Sequence, residues 1–212
     1  MEGKRKKNII TFVKYFVLIV GSIIFITPLV WLVLNSFKEN GQIVSFPPKW
    51  IPDPFILDNY KDLFDPNNKN YIPMARFILN SFIVSIGVVI GTTLSSVLVG
   101  YAFARLKCRF KNFFFVILLG TLMIPSSVLM LPIFVVFREL NWLDSFKCLI
   151  VPSFFGNAFF IFLTRQFMMS LPYELDEAAY IDGASRFQIL FKIIMPLCKP
   201  VITTIVVLSF IW

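Results

Sequence analysis

Long stretches without a charged side chain alternate with short polar segments along this chain. No Asp, Glu, Lys or Arg occurs in four windows, which are Tyr15–Phe37, Phe77–Ala104, Asn112–Phe137 and Cys148–Thr164. A helix needs roughly 17–25 mainly apolar residues to cross about 30 Å of hydrocarbon, so each window approaches or exceeds one membrane span. A fifth apolar run begins near Pro200 and reaches Trp212. The pattern predicts an all-α polytopic membrane protein.

The same pattern divides the chain into segments. We expect a basic tail at 1–11, a first span at 12–36, an outer loop at 37–75 and a core at 76–212. Within the core we expect three more full spans, a partial span and a polar loop, at about 77–104, 112–137, 146–169, 200–212 and 171–199, respectively. The expected architecture is therefore four full spans plus a partial fifth, with short helices in the polar loop.

Charge distribution indicates how these segments face the two sides of the membrane. The chain is 58% hydrophobic and 15% charged, outside the usual composition of a soluble domain. Basic residues that no acid offsets occur in the tail at 4–7 and in the link at 105–111, whereas the outer loop is balanced. Because unbalanced basic segments stay in the cytoplasm, we expect the N-terminus and loop 171–199 there. The basic pI near 9.5 then reflects topology, and nucleic acid is not an expected partner.

Several kinds of chemistry have no candidate residues in the sequence. There is no His, no GxxxxGK[ST] phosphate-binding loop, and no Asp or Glu within the four apolar windows. Proton-coupled transporters usually need ionisable groups inside their spans. We therefore expect no enzymatic activity, no catalytic residue, no cofactor and no metal site. If the protein transports something, its energy should come from another subunit.

Two spans carry features beyond hydrophobicity. Gly87, Gly91 and Ser95 share one face of the second span, which favours close helix packing, although the hydroxyls of that stretch could instead line a polar path. Pro125 and Pro132 remove backbone hydrogen bonds from the third span. Broken helices line binding sites in many transporters, so this break predicts either part of a pathway or a plain kink.

The outer loop combines prolines with aromatic side chains. Prolines at this density prevent a continuous helix between residues 46 and 73. One interpretation is an irregular cap packed on the helix ends. The other is a docking surface for an extracytoplasmic partner.

The polar loop contains signals for two short helices around a glycine. Leu175, Ala178, Ala179 and Asp182 fall on one face of the first, and Gly183 is suited to end it. The small alanines would let another surface approach, and Glu177 beside them could pair with a basic residue.

Ser185 and Gln188 have the spacing of a capping box at the start of the second helix. We expect its apolar side to consist of Phe187, Leu190, Phe191 and Ile194, and its end to lie at Pro196 and Pro200.

At these residues the chain resembles the EAA signature of bacterial ABC importer permeases, through Glu177-Ala-Ala, Asp182-Gly183, Ile193-Ile194 and Pro196. The resemblance extends along nearly the whole chain to the carbohydrate-uptake, maltose-permease-like branch. Its further motifs are NSFK (35–38), NY (59–60), RFILNS (76–81), YAFARL (101–106), MIP (123–125), FLTRQF (162–167) and LPYELDEAAYIDGAS (171–185). An EAA-like triplet alone is a weak signal, but this ordered set is specific.

The resemblance implies a type I ABC importer permease fold and a coupling role for loop 171–199. The residues implied in ATPase coupling are Glu177, Ala178, Ala179, Asp182, Gly183 and Pro196. The implied partners are a second permease in a heterodimer, a cytoplasmic ABC ATPase dimer, an extracytoplasmic solute-binding protein and the lipid bilayer. The implied location is the bacterial cytoplasmic membrane, and the implied substrate is a sugar or sugar derivative, with no substrate-binding residue assigned.

The chain departs from the family pattern after Pro200. Family members complete a fifth span and add a sixth, whereas 13 residues span only about 20 Å of helix. We therefore expect a fragment or a truncated, non-functional permease when this chain acts alone. Two other functions stay open from the residues: a membrane scaffold or assembly protein with a partner-binding helix pair, and a secondary transporter.

Overall fold

The structure is a computed structural model that describes residues 2–66 and 72–211. Every regular element within these residues is helical, and no strand occurs among them. The chain separates into two compact units, Met1–Phe77 and Ile78–Trp212. Residues 67–71 of the expected outer loop, Met1 of the tail and Trp212 of the partial span lie outside the described residues.

The first unit is built on one long helix. Helix α1 runs over Glu2–Asn35, and its apolar part, Ile10–Asn35, is long enough to cross a membrane. None of the most apolar stretch of α1 is buried against other parts of the chain. Two short helices follow, α2 at Asn40–Ile43 and α3 at Asp58–Phe64. The expected span at 12–36 coincides with this helix, which begins earlier and also includes the basic tail.

Lys38 fastens the outer loop to the end of α1. Its side chain is completely buried. The ammonium donates hydrogen bonds to Asn35 Oδ1 at 2.7 Å and to the Lys49 carbonyl. It also lies 4.3 Å from the centre of the Trp31 ring. Asn59 Nδ2 adds bonds to the carbonyls of Ser36 and Lys38, at 3.0 and 2.9 Å. The NSFK and NY motifs are therefore two halves of one cluster. This part of the loop packs on a helix end, as the cap interpretation predicts.

The second unit begins within helix α4, Met74–Arg105, the longest apolar helix of the core. Helices α5 (Lys111–Thr121) and α6 (Ser126–Glu139) follow it. Helix α7 (Lys147–Ile150) leads through a 3₁₀ turn, Val151–Phe155, into α8 (Ala158–Met169). The segment Lys147–Met169 is the third helical stretch long and apolar enough to cross a membrane, after those in α1 and α4.

The glycine face of α4 is a packing surface. A Cβ built on Gly87 would lie 2.8 Å from Cγ2 of Ile150, and one on Gly91 would lie 2.7 Å from the Phe154 ring. The Ser95 hydroxyl lies 2.8 Å from the Gly91 carbonyl of its own helix and 3.0 Å from the Ser153 carbonyl. The predicted close approach of another segment at these small residues is confirmed.

The expected third span is broken. Helices α5 and α6 are bent by 99° relative to each other and pass the length and hydropathy test for a span only as a pair. Pro125 stands at the break with ψ of 135°, whereas Pro132 lies inside α6. The expected break of the third span therefore falls at Pro125 and not at Pro132. A helix can continue through a proline at the cost of one hydrogen bond, which accounts for Pro132.

The segment Arg186–Ile211, which begins inside loop 171–199, is also bent. Helix α10 (Arg186–Gln188), a π-helical turn (Ile189–Ile194) and α11 (Met195–Leu197) form one continuous rod. Helix α12 (Lys199–Ile211) follows at 79° to it, and the two qualify as a span only together.

Two expectations about this rod are wrong. Pro196 does not end it, because the rod continues through Pro196 to Leu197 and the bend falls at Cys198 instead. The buried side consists of Ile189, Leu190 and Ile194, while Phe187 and Phe191 are exposed. Ile189 and Ile194 share the buried side although they are five residues apart in sequence. The π turn explains this, because its hydrogen bonds join residues i and i+5 and rotate the buried side relative to that of an α-helix.

The core of the second unit gathers around this rod. The buried apolar side chains come from α4, α8, α12, the rod and the helix between α8 and the rod, and they include Val97, Phe160, Met168, Ala179, Leu190 and Ile205. The polar loop expected to project from the membrane helices is thus packed against them.

Candidate functional site

The helix before Gly183 is α9, Glu174–Ile181, and it ends in the way the sequence predicts. Gly183 has a φ of +81°, in the left-handed region that glycine adopts without a Cβ penalty. Its N–H donates to the Tyr180 carbonyl at 3.1 Å, and the Ala184 N–H donates to the Ala179 carbonyl at 2.9 Å. These two bonds form a Schellman motif, which satisfies the last carbonyls of the helix.

The capping box that follows is present. The Ser185 N–H donates to Oε1 of Gln188 at 2.7 Å, and the Gln188 N–H donates to Oγ of Ser185 at 3.4 Å. The second helical segment therefore begins directly after the Gly183 turn. Together the Schellman motif and the capping box fix the direction of the chain on both sides of Gly183.

The Gly183 turn presents a mostly polar surface, which we call the docking corner and define as Glu177, Ala178, Asp182 and Gly183. All four residues are exposed. Three acidic side chains occupy the first turn of α9, where they complement the positive end of the helix dipole. The corner therefore offers negative charge, a small side chain and a tight turn to any partner that approaches it.

Two of the six expected coupling residues lie away from this surface. Ala179 is only 7% exposed and packs into the core of this chain, so the structure does not support an alanine face in which both alanines are open. The buried side of α9 is formed by Asp176 and Ala179, of which Ala179 packs into the core and Asp176 contacts the end of α4. Pro196 lies in α11, beside the Cys198 bend and not at the corner.

An ion pair that sequence reasoning did not identify lies directly behind the docking corner. Arg105, the last residue of α4, places Nη1 3.0 Å from Oδ2 of Asp176. The two side chains are only 4% and 11% exposed. Asp176 directly precedes Glu177 on α9, and consecutive side chains of a helix point about 100° apart. Asp176 is therefore buried while Glu177 is exposed.

The Arg105 guanidinium also binds the end of α8. Nη2 donates to the carbonyls of Met168 at 2.7 Å and Leu171 at 2.9 Å, and Nη1 makes a longer contact with the Pro172 carbonyl at 3.5 Å. A cation at the C-terminus of a helix satisfies its last carbonyls and interacts favourably with the dipole. One side chain thus joins the ends of α4 and α8 to the start of α9.

Burial and the neighbouring Arg105 charge act in opposite directions on the pKa of Asp176. Removal from water raises the pKa of the Asp176 carboxyl above its ordinary value, and the Arg105 charge lowers it only in part. Burial of an ion pair is weak evidence for stability, because desolvation can outweigh the attraction. What the pair supplies is a defined geometry between three elements.

A sequence signal for this pair exists. Asp176 and Ala179 are three residues apart on a short helix, so one acid lies on the same face as a small apolar residue. A charged residue on the buried face of a helix needs a partner. The basic residue at the end of the neighbouring apolar helix, Arg105 in the YAFARL motif, was the available candidate.

A cavity of about 450 Å³ borders the pair and reaches the docking corner. Its walls combine charged and aromatic side chains, among them Tyr101, Lys107, Tyr173, Tyr180 and Arg186. Among the described residues, no group of three or more Cys, Asp or Glu side chains is arranged to hold a metal ion. The charged and aromatic walls of this cavity can make polar contacts with a partner.

A chain with several helices long and apolar enough to cross a membrane belongs to the class of polytopic α-helical membrane proteins. The chain matches the family of binding-protein-dependent transport system inner membrane components over residues 96–212. It is 32% identical over 199 residues to the sn-glycerol-3-phosphate transport system permease protein UgpE of Yersinia pestis, covering 93% of this chain and 70% of that protein. It therefore belongs to this permease family of ABC importers, and it is not an enzyme.

Two further comparisons agree with this family. The sulfoquinovosyl glycerol transport system permease protein SmoH of Agrobacterium fabrum is 32% identical over 185 residues, which cover 87% of this chain and 63% of that protein. A crystal structure of a bacterial ABC transporter involved in the import of the acidic polysaccharide alginate superposes with a TM-score of 0.74 and 25% identity, covering 98% of this chain and 71% of that one. The all-α ABC importer permease fold and the multi-pass membrane location are thereby confirmed. Among the described residues, three helices are long and apolar enough to span a membrane, or up to five spans if each bent pair counts as one.

Proposed function

We propose that this chain is the transmembrane permease subunit of an ATP-driven importer for a sugar or sugar derivative. It forms the pathway with a second permease in a heterodimer and couples to a cytoplasmic ATPase dimer through loop 171–199. An extracytoplasmic solute-binding protein delivers the substrate, and the N-terminus lies in the cytoplasm of the bacterial cell. The substrate class rests on the names of the similar permeases, which refer to glycerol and saccharide compounds.

The observation that carries this proposal is the docking corner. Its four residues are exposed on a turn held by a Schellman motif at one side and a capping box at the other. A surface that is fixed in shape and also negatively charged is suited to fit a cleft and to pair with a basic residue there. ATP hydrolysis on the partner ATPase supplies the energy. The ATPase acts on the permease by binding one of its conformations more tightly, which shifts the equilibrium between them.

Two substitutions at the docking corner test the coupling role. In the importer assembled with its partner permease, ATPase and binding protein, we expect Glu177→Lys to reverse the local charge and lower binding-protein-stimulated ATP hydrolysis about tenfold or more, the size of a typical coupling energy. Gly183→Val should have a similar effect, because a β-branched residue does not adopt a φ of +81° without strain. ATP hydrolysis in proteoliposomes measures both.

The matched controls change the same residue types elsewhere. Glu139→Lys reverses an exposed charge at the end of α6, and Gly120→Val adds a side chain where a Cβ meets no atom within 4 Å. Both should leave stimulated hydrolysis close to that of the unaltered protein. Normal coupling in both corner variants, with normal membrane insertion, would show that loop 171–199 is not the coupling element.

A further inference from the structure

We infer that Arg105 and Asp176 are positioning residues, which fix the docking corner to the end of α4 so that a displacement of the corner reaches the membrane helices. This inference rests on the proposed coupling function and assigns to two residues a role in transmission. The YAFARL motif (101–106), which contains Arg105, has no assigned role in the sequence resemblance. In this inference it is the part of the membrane helices to which the docking corner transmits its movement.

The contacts of α9 with the rest of the chain are the first argument. Only two residues of this helix are buried, Asp176 and Ala179. Burial of an alanine methyl group contributes little free energy, at roughly 25 cal/mol per Å² of apolar surface, and it imposes little direction. The ion pair with Arg105 is therefore the main directional contact between the body of α9 and the rest of the second unit.

The second argument is the number of elements that one guanidinium joins. Arg105 ends α4, a helix of 32 residues, and binds the Met168 and Leu171 carbonyls together with the Asp176 carboxylate. An arginine holds several acceptors in a fixed planar geometry, which a lysine does not. A shift of α9 along its axis would break the Asp176 contact unless Arg105, and with it the end of α4, moved as well.

The third argument is the adjacency of the inward and outward acids. Glu177 faces the partner side and Asp176 faces Arg105, with one peptide bond between them. A force applied at Glu177 therefore passes to the buried pair through a single rigid turn of helix. By contrast, the small cavity on the Gly183 side is lined by Asp182, Gln188 and Lys192 among others, and no ion pair between these described residues is within 4.0 Å.

The experiment compares variants that change the pair but keep α9 in place. Asp176→Asn retains the size of the side chain and removes its charge, and Arg105→Gln removes the forked donor. In the assembled importer, we expect both to bind the ATPase at normal levels in co-purification while uptake per ATP hydrolysed falls between about 5- and 150-fold, the usual range of coupling between sites. Asp176→Glu keeps the carboxylate and should recover part of the lost coupling.

Lys107→Gln is the matched control, because Lys107 is an exposed basic residue two positions from Arg105 on the same cavity. It should leave the ratio of uptake to hydrolysis unchanged. If Arg105→Gln prevents assembly, Asp176→Asn decides. The inference is overturned if Asp176→Asn shows the unaltered ratio, or if it lowers assembly and activity in equal proportion, since that result marks a purely structural pair.

The outcome separates this inference from the proposed function. If Glu177→Lys lowers coupling but the Asp176 variants do not, the corner binds the ATPase and the buried pair plays no part in transmission. If Glu177→Lys also couples normally, the proposed function itself fails. Loss of coupling in Glu177→Lys and in the Asp176 variants supports both the proposed function and the positioning role of the buried pair.

Discussion

At the residue scale, the docking corner depends on one backbone conformation. Gly183 has a φ of +81°, and a Cβ built there meets no atom within 4 Å. Space is therefore not the constraint at this position. The constraint is the conformation itself, which costs an L-residue about 1–2 kcal/mol and costs asparagine less.

This distinction predicts a graded series at position 183. Gly183→Asn should retain most of the coupling activity, Gly183→Ala should lose about 1 kcal/mol of folding free energy, and Gly183→Val should lose more because of its branched Cβ. Thermal unfolding of the purified complex, together with stimulated ATP hydrolysis, measures the order. Equal effects of all three substitutions would contradict a conformational origin and indicate a contact at the glycine surface.

A second prediction at the residue scale follows from the pKa of Asp176. Burial raises this pKa, so the folded protein binds a proton more readily than the unfolded chain does. The contribution of Asp176 to folding free energy should therefore decrease as pH rises from the ordinary carboxyl value through the raised one. Comparison of unfolding midpoints of the unaltered protein and Asp176→Asn across this acidic range measures the difference, which should favour the unaltered protein most at low pH.

At the element scale, close packing between α4 and the segment before α8 depends on small residues. Ser153 and Phe154 occupy the space where a side chain on Gly91 would lie, and Thr164 does the same at Gly100. Such contacts bring two backbones together inside a membrane, where the hydrophobic effect does not drive helices to associate. The glycine spacing therefore has a structural role, and the neighbouring hydroxyl of Ser95 strengthens it through backbone carbonyls.

Substitution of a single glycine tests this packing. Gly91→Ala should destabilise the second unit by about 1–3 kcal/mol, the usual cost of an overpacked contact. Gly21→Ala, in a part of α1 where a Cβ meets nothing within 4 Å, is the control and should be neutral or slightly stabilising. The unfolding midpoint in detergent reports both. A neutral Gly91→Ala would mean that the two segments separate readily.

The elements also show how far the sequence could lead. The stop at Gly183, the capping box and the glycine face are local patterns, and the structure confirms each of them. The π turn at Ile189–Ile194 and the bend at Cys198 carry no local signal of comparable strength, since the prolines nearby fit the first turns of helices. The expectation that both alanines of α9 are open is wrong at Ala179 for a related reason, since the buried side of α9 depends on Arg105, which lies far away in sequence.

At the scale of the whole molecule, two compact units have separate internal anchors. In the first, buried Lys38 holds the outer loop to the end of α1. In the second, Arg105 holds α9 to the ends of α4 and α8. The sequence identified the family through motifs that contain both residues, and the structure gives each motif a physical reason. Substrate contacts have no such local pattern, because they depend on side chains that a second permease would complete.

Contact between the docking corner and the ATPase is the central claim, and site-directed cross-linking tests it most directly. In a Cys108→Ser background, Ala178→Cys places a thiol on the exposed corner, and Glu139→Cys places one at the end of α6, predicted to face the outside. In membranes that contain the complete importer, Ala178→Cys should form a cross-linked product with the ATPase whose yield changes with nucleotide, and Glu139→Cys should form none. An absent product at Ala178→Cys, or an equal one at both positions, would contradict the account.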